Sequence, residues 1–263
     1  DQSLKRMKLD YVDIFYSHRY DPDTPLEETL QTLVDIVRSG KALYAGISNY
    51  PYEAAEFAYK YLAERDVRCL LHQCKYNIFD REPETDGLLR QAKEAGSGFI
   101  AYSPLCQGLL TDRYLNGIPD NSRAAKDFSL KQNRITPELL GKIRDLNNIA
   151  AQRGQTLAQM ALAWDLKDDL VTSVIIGASS LEQLQSNLQA IKNTDFSQEE
   201  LAAIDEIVNT IEKVLENNFR MIYELNRIKK SENGDSENQS LLQISNHIKL
   251  LDKLTTITPI SPR

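Results

Sequence analysis

Short apolar segments alternate with amphipathic helical segments from residue 11 to about residue 208, and few folds accommodate such an order. Each apolar segment is bounded by Gly, Pro, Ser or Asn, as buried parallel strands are. Repeated strand-then-helix order implies a parallel sheet with right-handed crossovers, so the pattern predicts an α/β fold. The predicted strands are 11–17, 42–47, 69–73, 98–102 and 174–176.

The helical segments between these strands carry start and stop signals. Thr24 is the predicted N-cap of the first long helix, with Pro25 as its first residue and Gly40 as the stop after it. Further helices are predicted near 50–63, 84–95, 136–153, 155–167, 180–191 and 197–208. Eight strand–helix units close a barrel of roughly 250 residues. The sequence therefore predicts an incomplete (β/α)8 TIM barrel over residues 1–208, with about five of the eight units.

The composition changes after residue 208, which predicts a second region over 209–263. This region contains no alanine and is rich in Asn, Ile and Lys. Apolar residues recur at helical spacing on both sides of a polar break at 231–238, so a helical C-terminal extension is predicted. Two interpretations stay open: a helical hairpin that packs on the domain or is loosely ordered, and a coiled coil that joins copies of the chain.

Charge and cysteine content exclude several classes of protein. With a formal net charge of −7 over 263 residues, the chain is not expected to bind nucleic acid or an anionic membrane surface. No apolar run approaches the roughly 20 residues of a membrane span. Three cysteines cannot all pair, which favours a reducing compartment, and we expect a soluble cytoplasmic protein. Because residue 1 is Asp1 rather than Met, we expect a processed chain or part of a longer protein.

Sequence motifs for common cofactors and nucleophiles are absent. The chain has no Gly-x-Gly-x-x-Gly, no Walker loop, no His-Glu-x-x-His and no Gly-x-Ser-x-Gly. Cys69, His72 and Cys74 are close together, but they belong to one predicted strand, where neighbouring side chains point to opposite faces. We therefore interpret them as buried structural residues, and no metal site is predicted.

Polar residues stand at the carboxyl end of each predicted strand. In a (β/α) barrel this rim carries the active site, because the loops after the strands meet there. A succession of polar strand ends favours a ligand-binding rim over ordinary turn chemistry. The rim positions are His18, Ser48, Asn49, Gln73, the run from Tyr102 through Ser103 to Leu105, and the run from Gly177 to Ser180.

The last predicted strand leads into a helix whose start suits an anionic group. Gly177 lets the backbone approach a ligand, and Ser180 and Gln183 have the spacing of a capping box. A helix N-terminus offers unpaired N–H groups and a positive dipole end, which suit phosphate; an ordinary cap without a ligand is the alternative. A local excess of positive charge earlier in the chain favours a ligand with several phosphates. Between residues 113 and 134, five basic residues exceed two acidic ones by three: Arg113, Arg123, Lys126, Lys131 and Arg134 against Asp120 and Asp127.

Four segments, in order and at matching spacing, resemble sequence blocks of the aldo-keto reductases. They are YVDIFYSHR at 11–19, GKALYAGISN at 40–49, AYSPLCQGLL at 101–110 and VIIGASSLEQL at 174–184. The resemblance covers residues 1 to about 208 and is closest to the group of bacterial L-glyceraldehyde 3-phosphate reductases and potassium channel β subunits. It does not extend to the residues after 208.

The resemblance implies NADPH-dependent reduction of an aldehyde or a ketone, with glyceraldehyde 3-phosphate or a similar small carbonyl as the substrate. His18 matches the catalytic residue that orients the substrate carbonyl, and Tyr102 matches the residue that stacks on the nicotinamide. Ser48, Asn49 and Gln73 match the residues that hold the nicotinamide carboxamide. The other implied NADP(H) contacts are Ser103 and Leu105 along the pyrophosphate, Arg113 and Arg123 near the phosphates, and Gly177, Ser179, Gln183 and Asn187 at the adenosine phosphate end.

The resemblance also implies a limit on activity. The family protonates the developing alkoxide with a tyrosine that is tuned by a lysine and an aspartate, and these belong to family segments that precede the match to residue 1. We therefore assign no residue to the general-acid role and expect a fragment that is inactive alone. The alternative is a non-enzymatic NADP-binding or interaction protein of the channel β-subunit type, but His18 favours the enzymes. Self-association is expected, through exposed strand edges or the C-terminal helices.

Overall fold

The computed structural model describes residues 1–120, 122–126 and 130–209. Within these ranges, five parallel strands form one sheet in the order β1-β2-β3-β4-β5, which confirms the predicted α/β fold. The strands are β1 Val12–Ser17, β2 Ala42–Ser48, β3 Cys69–Lys75, β4 Gly98–Tyr102 and β5 Ser173–Ile175. The predicted helical extension, 209–263, lies outside the described residues apart from residue 209.

The helices lie before, between and after these strands, and local caps set where several of them begin. They are α1 Gln2–Met7, α2 Leu26–Arg38, α3 Tyr52–Ala63, α4 Glu82–Thr85, α5 Leu88–Glu94, α6 Pro137–Gln152, α7 Leu157–Asp165, α8 Leu181–Leu188 and α9 Gln198–Val208. The Thr136 hydroxyl accepts from the Leu139 N–H at the start of α6, and Thr156 with Gln159 forms a capping box at the start of α7. No helix in the described part of the chain is long and apolar enough to cross a membrane.

The predicted start of α2 is one residue early. The helix begins at Leu26, with Pro25 in the N-cap position at a ψ of 124°, outside the helical region. Thr24 does not cap the helix, because its hydroxyl donates to Asp21 Oδ2 at 2.8 Å. The predicted stop is confirmed, since Gly40 follows the helix with a φ of 73°, the left-handed conformation that ends many helices.

The core lies between the sheet and the helices on one of its faces. Strand alternation directs Ile47, Phe99 and Ala101 toward α2, α3 and α5, and all three side chains are fully buried. The opposite face of the sheet is mostly half-buried or exposed, with Tyr44 46% and Ile175 47% exposed. The described strands therefore form an open sheet rather than a closed barrel.

Candidate active site

The carboxyl ends of the strands lie along one edge of the sheet, because all five strands run in the same direction. The register pairs Ser48 on β2 with Gln73 on β3. Tyr102 at the end of β4 pairs with Ile175 at the end of β5, two residues before Gly177. The predicted rim positions thus follow one another along this edge, which we call the rim.

Asn49 connects the ends of four strands at the centre of the rim. Its Nδ2 donates to the carbonyl oxygen of His18 and to Ser48 Oγ, both at 3.0 Å. Its Oδ1 accepts from the Tyr102 hydroxyl at 2.9 Å, and its backbone N–H donates to the carbonyl oxygen of Gln73 at 3.1 Å. A φ of 55°, which asparagine tolerates better than most residues, places the side chain for these contacts. One residue therefore brings together the predicted site residues of β1 to β4.

Tyr16 on β1 lies against β2 on the open face of the sheet. A Cβ on Gly46 would lie 2.7 Å from two ring carbons of Tyr16, so only glycine lets the ring lie against β2. Burial raises the pKa of Tyr16, nearby Cys69 adds to the rise, and a hydrogen bond with the Gln73 side chain opposes it. Tyr16 is thus a neutral phenol beside Gln73, and it is not among the predicted site residues.

The loop after β4 has an unusual backbone conformation. Ser103, Cys106 and Gln107 have φ angles of 57°, 46° and 60°, and Gly108 follows at 95°. Each non-glycine residue in this region carries a conformational cost of about 1 kcal/mol or more. The buried side chain of Asn77 holds the start of the loop, because its Nδ2 donates to the Ser103 carbonyl oxygen at 3.0 Å. Asn77 is not among the predicted site residues, and its position just after β3 is the signal that the sequence offers for it.

The predicted phosphate end lies at the start of α8. Ser180 Oγ accepts from the Gln183 N–H at 3.2 Å, as predicted, but Gln183 Oε1 accepts from the backbone N–H and the hydroxyl of Ser179, each at 2.9 Å. The predicted capping box is therefore only half formed. In a full capping box the Gln183 side chain would accept from the backbone N–H of the N-cap residue Ser180, but here it accepts from Ser179, one residue earlier. A Cβ on Gly177 would meet nothing within 4 Å, so space is open there. Ser179 and Gln183 are exposed, whereas Asn187 is buried within α8.

The remaining predicted site residues differ in exposure. His18 is exposed at the end of β1, while Leu105 is half-buried against the core. Arg113 and Arg123 are both exposed in the segment that follows β4. Their contacts with phosphate stay predictions.

Cys69, His72 and Cys74 are buried, as predicted for structural residues. His72 Nδ1 lies 2.7 Å from the Tyr59 hydroxyl, and its Nε2 lies 3.2 Å from Cys74 Sγ, because residues two apart on a strand share a face. Burial lowers the pKa of His72 to about 4 and raises the pKa of each cysteine thiol to about 11. In the described ranges, no group of three or more His, Cys, Asp or Glu side chains could hold a metal ion.

A polar cluster on the helix side of the sheet does not follow from the sequence analysis. Lys167 Nζ donates to the Tyr76 hydroxyl at 2.8 Å, and that hydroxyl donates to Glu84 Oε2 at 3.1 Å. Such residue types can tune a proton donor, but Tyr76 is fully buried, and burial together with the Glu84 carboxylate raises its pKa. Burial also raises the pKa of Asp165 in the same region. The cluster joins α4 to the segment after α7, and its buried tyrosine is not a proton donor for the rim.

Comparison with known proteins places this chain in a family. A sequence profile described as the aldo/keto reductase family matches residues 1–209. The chain belongs to the aldo/keto reductase family. One relative is the L-glyceraldehyde 3-phosphate reductase of Escherichia coli strain K12, 52% identical over 211 residues that cover 78% of this chain and 61% of the relative. A Schizosaccharomyces pombe protein named as a voltage-gated potassium channel β subunit is 38% identical over 213 residues, 79% of this chain and 62% of that protein.

A solved member of the family extends the comparison to three dimensions. A thermostable aldo-keto reductase crystallised with the inhibitor epalrestat matches with a TM-score of 0.58 and 32% identity, over 78% of this chain and 63% of that one. The predicted partial TIM barrel is confirmed by this match together with the five-stranded parallel sheet. The chain spans about three fifths of the length of these relatives, as the coverages of 61%, 62% and 63% show.

Proposed function

We propose that residues 1–209 form the cofactor-binding part of an NADPH-dependent reductase of aldehydes or ketones. The observation that carries this proposal is the convergence of His18, Ser48, Asn49 and Tyr102 on one hydrogen-bonded rim, with Gln73 in register beside Ser48. Membership of the aldo/keto reductase family and similarity to a named reductase support the same type of reaction.

The rim residues fit a nicotinamide nucleotide. Tyr102 offers an aromatic face, while Ser48, Asn49 and Gln73 offer the donors and acceptors that a carboxamide requires. The open space beside Gly177 and the start of α8 suit a phosphate group. When bound, NADPH supplies the hydride, and the chain binds and orients it. Further proposed contacts are Ser103, Leu105, Arg113, Arg123, Ser179, Gln183 and Asn187.

His18 is proposed to orient the carbonyl of the substrate. It is exposed directly after β1, and the Asn49 side chain holds its carbonyl oxygen, so the backbone at this position is fixed. An imidazole placed there can donate a hydrogen bond to a carbonyl oxygen that gains negative charge. The name of the E. coli relative supports glyceraldehyde 3-phosphate or a similar small carbonyl as the substrate.

Turnover also requires a proton donor, and we assign none among the described rim residues. Tyr76 is excluded because it is fully buried on the helix side. Loss of a positioned acid lowers a rate by about 10²–10⁴-fold. We therefore propose that this chain binds NADP(H) but does not reduce carbonyls when it is alone.

We place this protein in the cytoplasm. Its three cysteines, Cys69, Cys74 and Cys106, are free and buried, as suits a reducing compartment.

Isothermal titration calorimetry of the 263-residue chain with NADPH, NADH and 2′,5′-ADP tests the proposal. NADPH and 2′,5′-ADP should bind, and NADH should bind more weakly, because it lacks the 2′-phosphate. Arg123→Ala should weaken binding of NADPH and of 2′,5′-ADP, the two ligands with a 2′-phosphate, about tenfold, the factor expected for one charge-assisted hydrogen bond. Lys60→Ala, at an exposed lysine on α3, is the matched control and should change neither. Equal affinity for NADH and NADPH, or indifference to Arg123→Ala, would refute the assignment.

A further inference from the structure

The side chain of Asn49 has little hydrogen-bonding capacity left for a ligand. An asparagine amide carries two N–H donors and one oxygen with two lone pairs. Its donors contact the His18 carbonyl oxygen and Ser48 Oγ, and one lone pair accepts from the Tyr102 hydroxyl. The Tyr102 hydroxyl therefore occupies one of the two acceptor positions of the amide oxygen, and one acceptor position is left.

The Tyr102 side chain crosses the end of another strand to reach Asn49. β3 lies between β2 and β4 in the sheet, and neighbouring strands are about 4.8 Å apart. Tyr102 ends β4, and Asn49 directly follows β2, so their hydrogen bond spans the strand between them. The ring of Tyr102 therefore lies over the carboxyl end of β3, the strand that carries Gln73.

The backbone fixes both ends of this contact. Asn49 has a φ of 55°, and Ser103, directly after Tyr102, has a φ of 57°. Asn77 holds the Ser103 carbonyl oxygen at 3.0 Å. The hydroxyl–amide bond thus joins two constrained positions of the rim and is part of its fold.

We propose that the Tyr102 hydroxyl is a latch on Asn49, which a carboxamide-bearing ring must release in order to bind. The inference rests on the proposed function, since it takes the nicotinamide carboxamide as the group that Ser48, Asn49 and Gln73 recognise. In the latched state the tyrosine side chain extends from β4 across the end of β3, and the Asn49 amide has hydrogen-bond partners without a ligand. The hydroxyl makes Tyr102 a positioning residue, while its ring supplies the stacking surface once the latch is open.

Calorimetric titration of the wild-type chain and Tyr102→Phe with NADPH and 2′,5′-ADP tests the latch. Phenylalanine keeps the ring and removes the hydroxyl, so NADPH should bind about three- to tenfold more tightly, the factor that one net hydrogen bond represents. 2′,5′-ADP has no nicotinamide and should bind both proteins equally. Tyr44→Phe removes a hydroxyl near the opposite end of β2 and should change neither affinity.

The outcomes separate the latch from the proposed function. If both proteins bind NADPH but Tyr102→Phe binds it no more tightly, the latch is overturned and the proposed function stands. If neither protein binds NADPH, both are overturned. Asn49→Gly gives an independent check on the ligand-free protein, because it removes the amide and keeps the left-handed backbone. Tyr102→Phe should lower the Tm of the wild type, because it removes the hydrogen bond to Asn49. In the Asn49→Gly protein the same substitution should leave the Tm unchanged. An equal drop in Tm in the two backgrounds would also overturn the latch.

Discussion

His72 packs against Tyr59 and Cys74, and burial lowers its pKa from the ordinary 6.5 to about 4. With this depressed pKa, the folded protein resists a protonation that the unfolded chain accepts. The stability contributed by neutral His72 is therefore complete above about pH 6.5 and is lost as the pH falls toward 4, by about 3 kcal/mol in total.

Urea unfolding at pH values between about 7 and 4 measures this contribution. His72→Leu removes the titrating group, so its free energy of unfolding should fall by about 3 kcal/mol less than that of the wild type over this range. His18→Leu changes an exposed histidine and should keep the pH dependence of the wild type. Parallel curves for His72→Leu and the wild type would show that the buried imidazole does not control acid stability.

The sequence predicts a site residue when that residue ends a strand. His18, Asn49 and Tyr102 are predicted in this way, and they lie at one edge of the sheet because parallel strands bring their carboxyl ends together. Tyr16 and Asn77 are missed, because their roles depend on contacts across the sheet and a loop that strand periodicity does not encode. The hydrogen bonds between rim residues likewise cannot be predicted from strand periodicity, because they depend on where each side chain lies in three dimensions.

At the scale of elements, β1 and β2 are joined by a close contact between Gly46 and Tyr16. A Cβ at Gly46 would lie 2.7 Å from the Tyr16 ring and 3.2 Å from the Leu71 carbonyl oxygen, which is backbone and cannot move easily. Gly46→Ala should therefore lower the free energy of unfolding by about 1–3 kcal/mol. Gly141→Ala is the control, because Gly141 lies inside α6 with nothing within 4 Å of its added Cβ. It should stabilise the protein by about 0.5–1 kcal/mol. Chemical denaturation measures both, and a Gly46→Ala protein as stable as the wild type would contradict the contact.

The strands were easier to predict than the helix ends. Each strand is an apolar run bounded by turn residues, so its existence follows from composition and order. The start of α2 is predicted one residue early because the Thr24 hydroxyl hydrogen-bonds to the Asp21 carboxylate and not to a backbone N–H of the helix. Both partners are close in sequence, so the sequence alone does not decide between them. Short elements such as α1 and α4 have too few turns to show a periodic pattern.

At the scale of the whole molecule, exposed edges and apolar side chains favour self-association. Among the described residues, β1 and β5 each pair with one neighbouring strand only. The surface of α8 and the turn after it adds Leu181, Leu188 and Ile191, which are 64%, 50% and 67% exposed. Unpaired strand edges and apolar patches recruit other chains, so we expect species larger than the monomer.

Size-exclusion chromatography with light scattering gives the mass of these species. Leu188→Lys combined with Ile191→Lys should reduce association, because it places two charges on the exposed apolar surface of α8 and its following turn. Glu182→Lys, at an exposed position of α8 that is already charged, is the control. A monodisperse 29.9 kDa wild-type monomer would show that these surfaces do not drive association.

We propose above all that the rim of the sheet binds NADP(H). Hydrogen–deuterium exchange of the whole 263-residue chain tests this directly, because it locates bound NADPH. With saturating NADPH we expect slower exchange in residues 46–49, 73–77, 102–108 and 177–184. Exchange in α2 and α3, on the helix side, should stay unchanged. Unchanged exchange along the rim, or protection confined to the helix side, would contradict the proposed binding site.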